Sequence, residues 1–87
     1  MNDTRNLHMV SVVLRNLDDL VAVFTYKSKD GAVTNRAVSP YKLIGQHSFM
    51  GLCLLRGEVR TFLLASCEDM KIGLACDFLA CQSHQIE

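Results

Sequence analysis

Tryptophan is absent from these 87 residues, and only one proline and five glycines interrupt them. With aromatic residues at 7%, any core has to be assembled mainly from Val, Leu, Ile, Met and Phe. A Gly-, Pro- or Ser-rich tract that would mark a linker is missing, and so is an internal repeat. No apolar run approaches the ~18–20 residues that a membrane helix needs. Met1 to Arg15 has neither the basic start nor the continuous apolar stretch of a secretory signal. These absences point to the cytoplasm and away from membranes, where the four cysteines are expected as free thiols. Cys53, Cys67, Cys76 and Cys81 contain no Cys-x-x-Cys pair, which argues against a structural zinc site and leaves no cofactor to expect. A glycine-rich phosphate loop and a nucleophile elbow are missing too. No pattern gathers Cys, His, Ser and Asp into a catalytic set, so the chain reads as a binding module and not as an enzyme.

The net charge is zero, which excludes a uniformly basic nucleic-acid binder. The distribution is uneven. Between Ala22 and Leu64 six basic residues (Lys27, Lys29, Arg36, Lys42, Arg56 and Arg60) face two acids, Asp30 and Glu58, leaving +4. The two flanks carry the compensating −4. An anionic partner is expected at the middle of the chain.

What is present is periodicity. Val10, Val13, Leu14 and Leu17 recur at i, i+3, i+4 and i+7, predicting a helix over about residues 6–17 with Asp3 or Thr4 as its cap. From Leu20 to Ser28 the period becomes two. Val21, Val23 and Thr25 point one way, Ala22, Phe24 and Tyr26 the other, as in a strand covered on both faces. Lys29-Asp30-Gly31 predicts a hairpin and Val33–Val38 its return strand, ended by Pro40. Lys42–Ile44, His47–Leu55 and Val59–Ala65 read as further strands, separated by the turns Gly45-Gln46 and Arg56-Gly57-Glu58. Five short strands with glycine-bearing turns predict a small barrel or a strongly bent sheet, a mainly β (α+β) domain covering residues 1–87. In the last segment, 66–87, Ser66 and Asp69 resemble a capping box. Met70, Leu74, Phe78 and Cys81 lie there at helical spacing, so a C-terminal helix is predicted, interrupted at Gly73, with a strand as the alternative.

The run from Phe24 to Ile72 resembles the WYL domain of bacterial transcription regulators. The likeness starts at Phe24-Thr25-Tyr26-Lys27-Ser28-Lys29-Asp30-Gly31 and continues through Arg36-Ala37-Val38-Ser39-Pro40-Tyr41-Lys42-Leu43. It is strongest at Leu54-Leu55-Arg56-Gly57-Glu58-Val59-Arg60-Thr61-Phe62. The tripeptide that names the family aligns with His47-Ser48-Phe49, so its Trp and Tyr are replaced. Leu54 stands where the family usually has His, Leu63 where an Arg often follows, and Ala65-Ser66 where an Asp-Arg pair is usual. The resemblance implies a five-stranded Sm-like or SH3-like barrel and regulation by a bound ligand, often nucleic acid or a nucleotide-like anion. Family members usually carry a helix-turn-helix domain first. Here only one helix precedes the strands, so the expectation is a standalone accessory protein or an excised piece that does not read DNA itself.

Tyr26, Arg36 and Arg60 are the leading site candidates, because a guanidinium fork suits phosphate and a tyrosine ring stacks on a base. Phe62 is added as a pocket wall, and Arg56 and Lys42 as a basic rim. Surface arginines that merely cover apolar strands with their stems are the plainer alternative. Lys27 and Lys29 read better as hairpin lysines that discourage strand pairing. The expected partner is a nucleotide or single-stranded nucleic acid, with a homo-oligomer or a partner regulator as a further expectation. The rival reading is a protein–protein module whose ligand site has decayed, using Leu52, Leu54, Leu63, Leu74, Phe78 and Leu79.

Overall fold

The computed structural model describes residues 2–78, with side chains from Thr4 onward. Helix α1 (Asn2–Leu14) leads into β1 (Leu20–Lys27), β2 (Val33–Ile44), β3 (Ser48–Cys53) and β4 (Glu58–Leu63). A 3-10 turn (Leu64–Ser66) then connects to β5 (Cys67–Leu74), and residues 75–78 are helical. All neighbours in the five-stranded sheet are antiparallel, in the order β4-β3-β2-β1-β5. The mainly β class with helices at both ends is as expected. The barrel is not closed: β4 and β5 are the two edges and do not pair with each other.

The sheet is nevertheless strongly curled. In a flat sheet β4 and β5 would lie four strand spacings apart, roughly 19 Å at about 4.8 Å each. The chain passes from Leu63 to Cys67 through three residues, which span at most about 14 Å even if fully extended. The edges therefore have to approach at this corner. Side chains bridge what the backbone ladder does not. Phe62 on β4 meets Phe24 and Tyr26 on β1 edge to face, with centroids 5.4 and 5.1 Å apart, and stacks on Phe49 of β3 at 5.4 Å. The Leu63 N–H donates to the Tyr26 hydroxyl at 3.2 Å.

The helix covers the open end of this curl. Val10 and Val13 are fully buried and Leu14 half-buried, the face read from the spacing. The helix starts earlier than expected, so Thr4 lies inside it, and the side chain of Asp3 falls outside what is described. Leu17 lies beyond its end and is exposed. Asn6 is buried, and its amide donates to the carbonyls of Leu64 and Cys67, both at 2.9 Å. Leu64 opens the 3-10 turn and Cys67 follows it, so one side chain ties α1 to the corner.

Two expectations need correction. Pro40 does not end β2. The strand continues to Ile44 through a register shift between Pro40 and Lys42, an irregularity of the kind where a residue without an N–H is tolerated. Opposite Pro40 stands Gly51, where a Cβ would come within 2.8 Å of the Pro40 Cα and 2.6 Å of Val38 Cγ1. The second concerns the segment from residue 66, expected as helix with a strand as the alternative: it forms strand β5 over Cys67–Leu74, and helix only over 75–78. A register shift opposite Phe24, with Asp69 at φ 53°, puts Cys67 and Met70 both in the core three residues apart. A bulged strand thus imitates helical spacing. Cys81 and Leu79 lie outside the described residues.

Asn6→Ala is expected to lower stability by about 1–2 kcal/mol, because it removes two hydrogen bonds to buried carbonyls, of which that of Leu64 keeps the Cys67 N–H as a donor. Urea denaturation checks this, and a loss within experimental error would show that the clamp contributes nothing net.

Candidate functional site

The curl sorts the expected site residues into three environments. Arg36 faces inward on β2, opposite Phe24, and is only 6% exposed. Its Nε donates to Thr34 Oγ1 at 3.1 Å and its Nη1 to Cys53 Sγ at 3.7 Å, while Cζ lies 5.8 Å from the centre of the Phe62 ring. No carboxylate pairs with it among the described residues. Phe62 is buried at the centre of the aromatic cluster. These two residues build the core behind a surface and do not form the surface itself.

Arg60, Arg56 and Lys42 are exposed. Arg60 shares a face of β4 with Glu58, two residues earlier, and reaches its carboxylate through Nη2 at 3.0 Å and Nε at 3.1 Å. Its charge is thereby compensated locally. Arg56 lies in the β3–β4 turn, and Lys42 lies past the irregularity in β2, opposite Met50. Arg36 and Arg60 are held by different partners, so the structure does not assemble them into one clamp. His47, at the family's Trp position, sits exposed in the β2–β3 turn and not in the strand as expected.

Tyr26 alone among the candidates lines a groove. The groove lies at the curled corner, bounded by Tyr26, Lys27, Ser28 and Lys29 from β1 and its hairpin, and by Leu63 and Ser66 from the link to β5. Neither lysine meets a carboxylate among the described residues. The hairpin is held by its own polar groups. The Ser28 hydroxyl bonds to Asp30, and the Asp30 carboxylate accepts the Ala32 N–H at 3.2 Å. The bond from Ser28, and then that from Ala32, keep the Asp30 carboxyl below its ordinary value. Sequence reasoning had set Lys27 and Lys29 aside. The usable signal was their position beside Tyr26, together with Leu63 and Ser66 standing where the family carries arginines.

Cys53 is a second product of the inward arginine. Burial pushes its thiol up. The hydrogen bond from Arg36, the backbone N–H groups of Arg56 and Leu55 and the nearby guanidinium charge outweigh this, so it lies below the ordinary 9.0. Among the described residues no three His, Cys, Asp or Glu side chains gather as a metal site would require.

An antiparallel sheet curled around aromatic side chains, with a groove at its corner, defines a small mainly β domain. The chain belongs to the WYL domain family, which matches residues 17–72. The solved structure of proteasome accessory factor B/C (PafBC) of Arthrobacter aurescens is similar, with a TM-score of 0.66 and 21% identity over 82% of this chain. At that identity the likeness concerns the fold alone, and the chain spans 11% of that protein's length. No curated protein matches the chain.

Arg36→Met, which keeps side-chain volume, is expected to change stability by less than about 1 kcal/mol, whereas Arg36→Ala opens a cavity behind Phe62 and costs about 2–3 kcal/mol. In Arg36→Met the Cys53 thiol moves up toward 9.0. Between its lowered folded value and 9.0 the folded wild type has released a proton that the unfolded chain still holds, so Cys53 makes wild-type stability rise with pH across that window. The Cβ chemical shift of Cys53 followed against pH checks this. An unchanged titration in Arg36→Met would remove the guanidinium as the cause.

Proposed function

We propose that this domain is a regulatory ligand-sensing module that works in the cytoplasm by binding and not by catalysis. Its ligand is an anion, a nucleotide or single-stranded nucleic acid, held at the curled corner. Membership of the WYL family supports the regulatory, ligand-sensing part of this reading. One observation carries the anionic part: Lys27 and Lys29 flank a groove walled by Tyr26 and Leu63, neither makes an ion pair among the described residues, and the one carboxylate of the hairpin, Asp30, is engaged by Ser28 and Ala32. Arg36 supports the site from behind by fixing Phe62, against which Tyr26 packs. Arg56, Lys42 and the Glu58-bound Arg60 contribute to the field of the middle segment and not to direct contacts. No described helix is long and apolar enough to cross a membrane.

A second reading has its own observation. Val59 and Leu63 on β4 are 49% and 44% exposed, on a strand whose outer edge is unpaired in the sheet. An exposed apolar edge strand is a place where another chain adds, so a second copy or a partner regulator is the alternative occupant.

Titration of the domain with labelled nucleotides and short single-stranded DNA and RNA at two salt concentrations tests the proposal. Saturable binding is expected, falling with salt by a log–log slope of about 0.7 for each phosphate engaged on a single strand. Lys27→Ala with Lys29→Ala should weaken it more than Arg60→Ala. Absence of binding at low salt, together with mass that rises with concentration, would move the assignment to the interaction module.

A further inference from the structure

Resting on the reading that the corner groove binds an anion, we infer that its ligand is a small organic anion with one charged head and a flat apolar body, not a polynucleotide. The inventory of the groove leads there. It offers about 340 Å³, at the small end of the ~300–1,000 Å³ typical of ligand pockets. Two of its six lining residues, Tyr26 and Leu63, present an apolar wall, and Leu63 is 44% exposed there.

Its polar equipment is sparse and partly engaged. The Tyr26 hydroxyl already accepts the Leu63 N–H, and the Ser28 hydroxyl is engaged by Asp30. Ser66, the O–H proton of Tyr26 and the two lysines are left to meet a ligand. Asp30, on the same hairpin, sets one negative charge against the two positive ones. A single carboxylate, sulfonate or monophosphate head matches that balance.

A polynucleotide needs a track of cations along its backbone, and no arginine lines the groove to extend one. Arg36 lies behind Phe62 and Arg60 is bound to Glu58. Leu63 and Ser66, at positions where arginines are usual in the family, replace charge by an apolar wall and a single hydroxyl.

The test is a set of nitrogen-15 NMR titrations with three probes: naphthalene-1-sulfonate, inorganic phosphate and a short oligothymidylate. Amide shifts of residues 26–29 and 63–66 report the groove. Naphthalene-1-sulfonate is expected to saturate at these amides about tenfold more tightly than phosphate, the difference being the apolar area it buries. The Lys27→Ala, Lys29→Ala double variant should weaken it, and Leu63→Gln should reduce its advantage over phosphate. Lys27, Lys29 and Leu63 are exposed, and the dispersion of each variant's own spectrum checks that it is folded. If phosphate binds as tightly as the sulfonate, the apolar body is refuted. Tighter binding of the oligothymidylate at the same amides would overturn the small-ligand inference and leave the anion reading standing. If no probe shifts these amides, both readings fall.

Discussion

Three residues join the two edges of the sheet, and this short link governs the rest of the molecule. A chain that leaves β4 at Leu63 and enters β5 at Cys67 cannot cross a flat five-stranded sheet. The sheet has to roll until the end of β4 lies near the end of β1. Rolling brings Phe62 against Phe24 and Tyr26, and the edge-to-face geometry of these rings fills a space too tight for parallel stacking of all of them. Asn6 then holds α1 over the same corner through the carbonyls of Leu64 and Cys67. The helix, the aromatic cluster and the groove are three consequences of one geometric demand.

The same demand decides what the arginines do. Alternation along β2 puts Arg36 on the face that becomes the inside of the curl, so its guanidinium is withdrawn from solvent. A buried charge needs partners. Arg36 finds a hydroxyl, a thiol and a ring face in place of a carboxylate. That is a soft environment for a cation, and part of the compensation comes from Cys53, which the guanidinium biases toward its thiolate. Arg60 shares a face of β4 with Phe62, but it lies on an edge strand and stays exposed, and Glu58 on the same face takes up its charge. Basic residues that look equivalent in a count of charge are therefore a core support and a compensated surface pair. The cations that line the groove are the two hairpin lysines, and neither forms an ion pair among the described residues.

Much of the fold was legible because period-two alternation is a direct imprint of a sheet with an inside. β1, β3 and β4 follow from it, while the hairpin at Asp30-Gly31 follows from its turn residues and the buried face of α1 from its 3.6-residue spacing. The errors have physical causes that pattern reading does not reach. Pro40 stops a regular strand, but β2 shifts register there and continues. In β5 the bulge at Asp69 places the buried residues Cys67 and Met70 three apart, the signature of a helix turn, and adds αL backbone that a sequence does not announce. Barrel closure was implied by five strands and by the family resemblance, yet β4 and β5 approach only at the corner and form no ladder with each other. At the site, residue type pointed to arginine and tyrosine. Only tertiary structure shows that Tyr26 borders solvent while Arg36 does not.

Leu63 belongs at once to the groove wall and to the exposed edge strand, and this couples the two functional readings. Its backbone N–H is occupied by Tyr26, so β4 cannot offer that donor to an incoming strand without releasing the hydroxyl that helps hold the corner. A ligand lying against Tyr26 and Leu63 would cover apolar surface that a partner chain would otherwise use. Ligand and partner binding on one side chain are linked by necessity, since whatever occupies Leu63 first changes the free energy available to the other by the same amount in both directions. An apolar residue at this position, where the family often has arginine, thus does more than remove a positive charge from the groove. It gives one surface both a hydrophobic contact for a small ligand and a hydrophobic contact for a protein, which is the arrangement a sensor needs if occupancy is to be passed on through association.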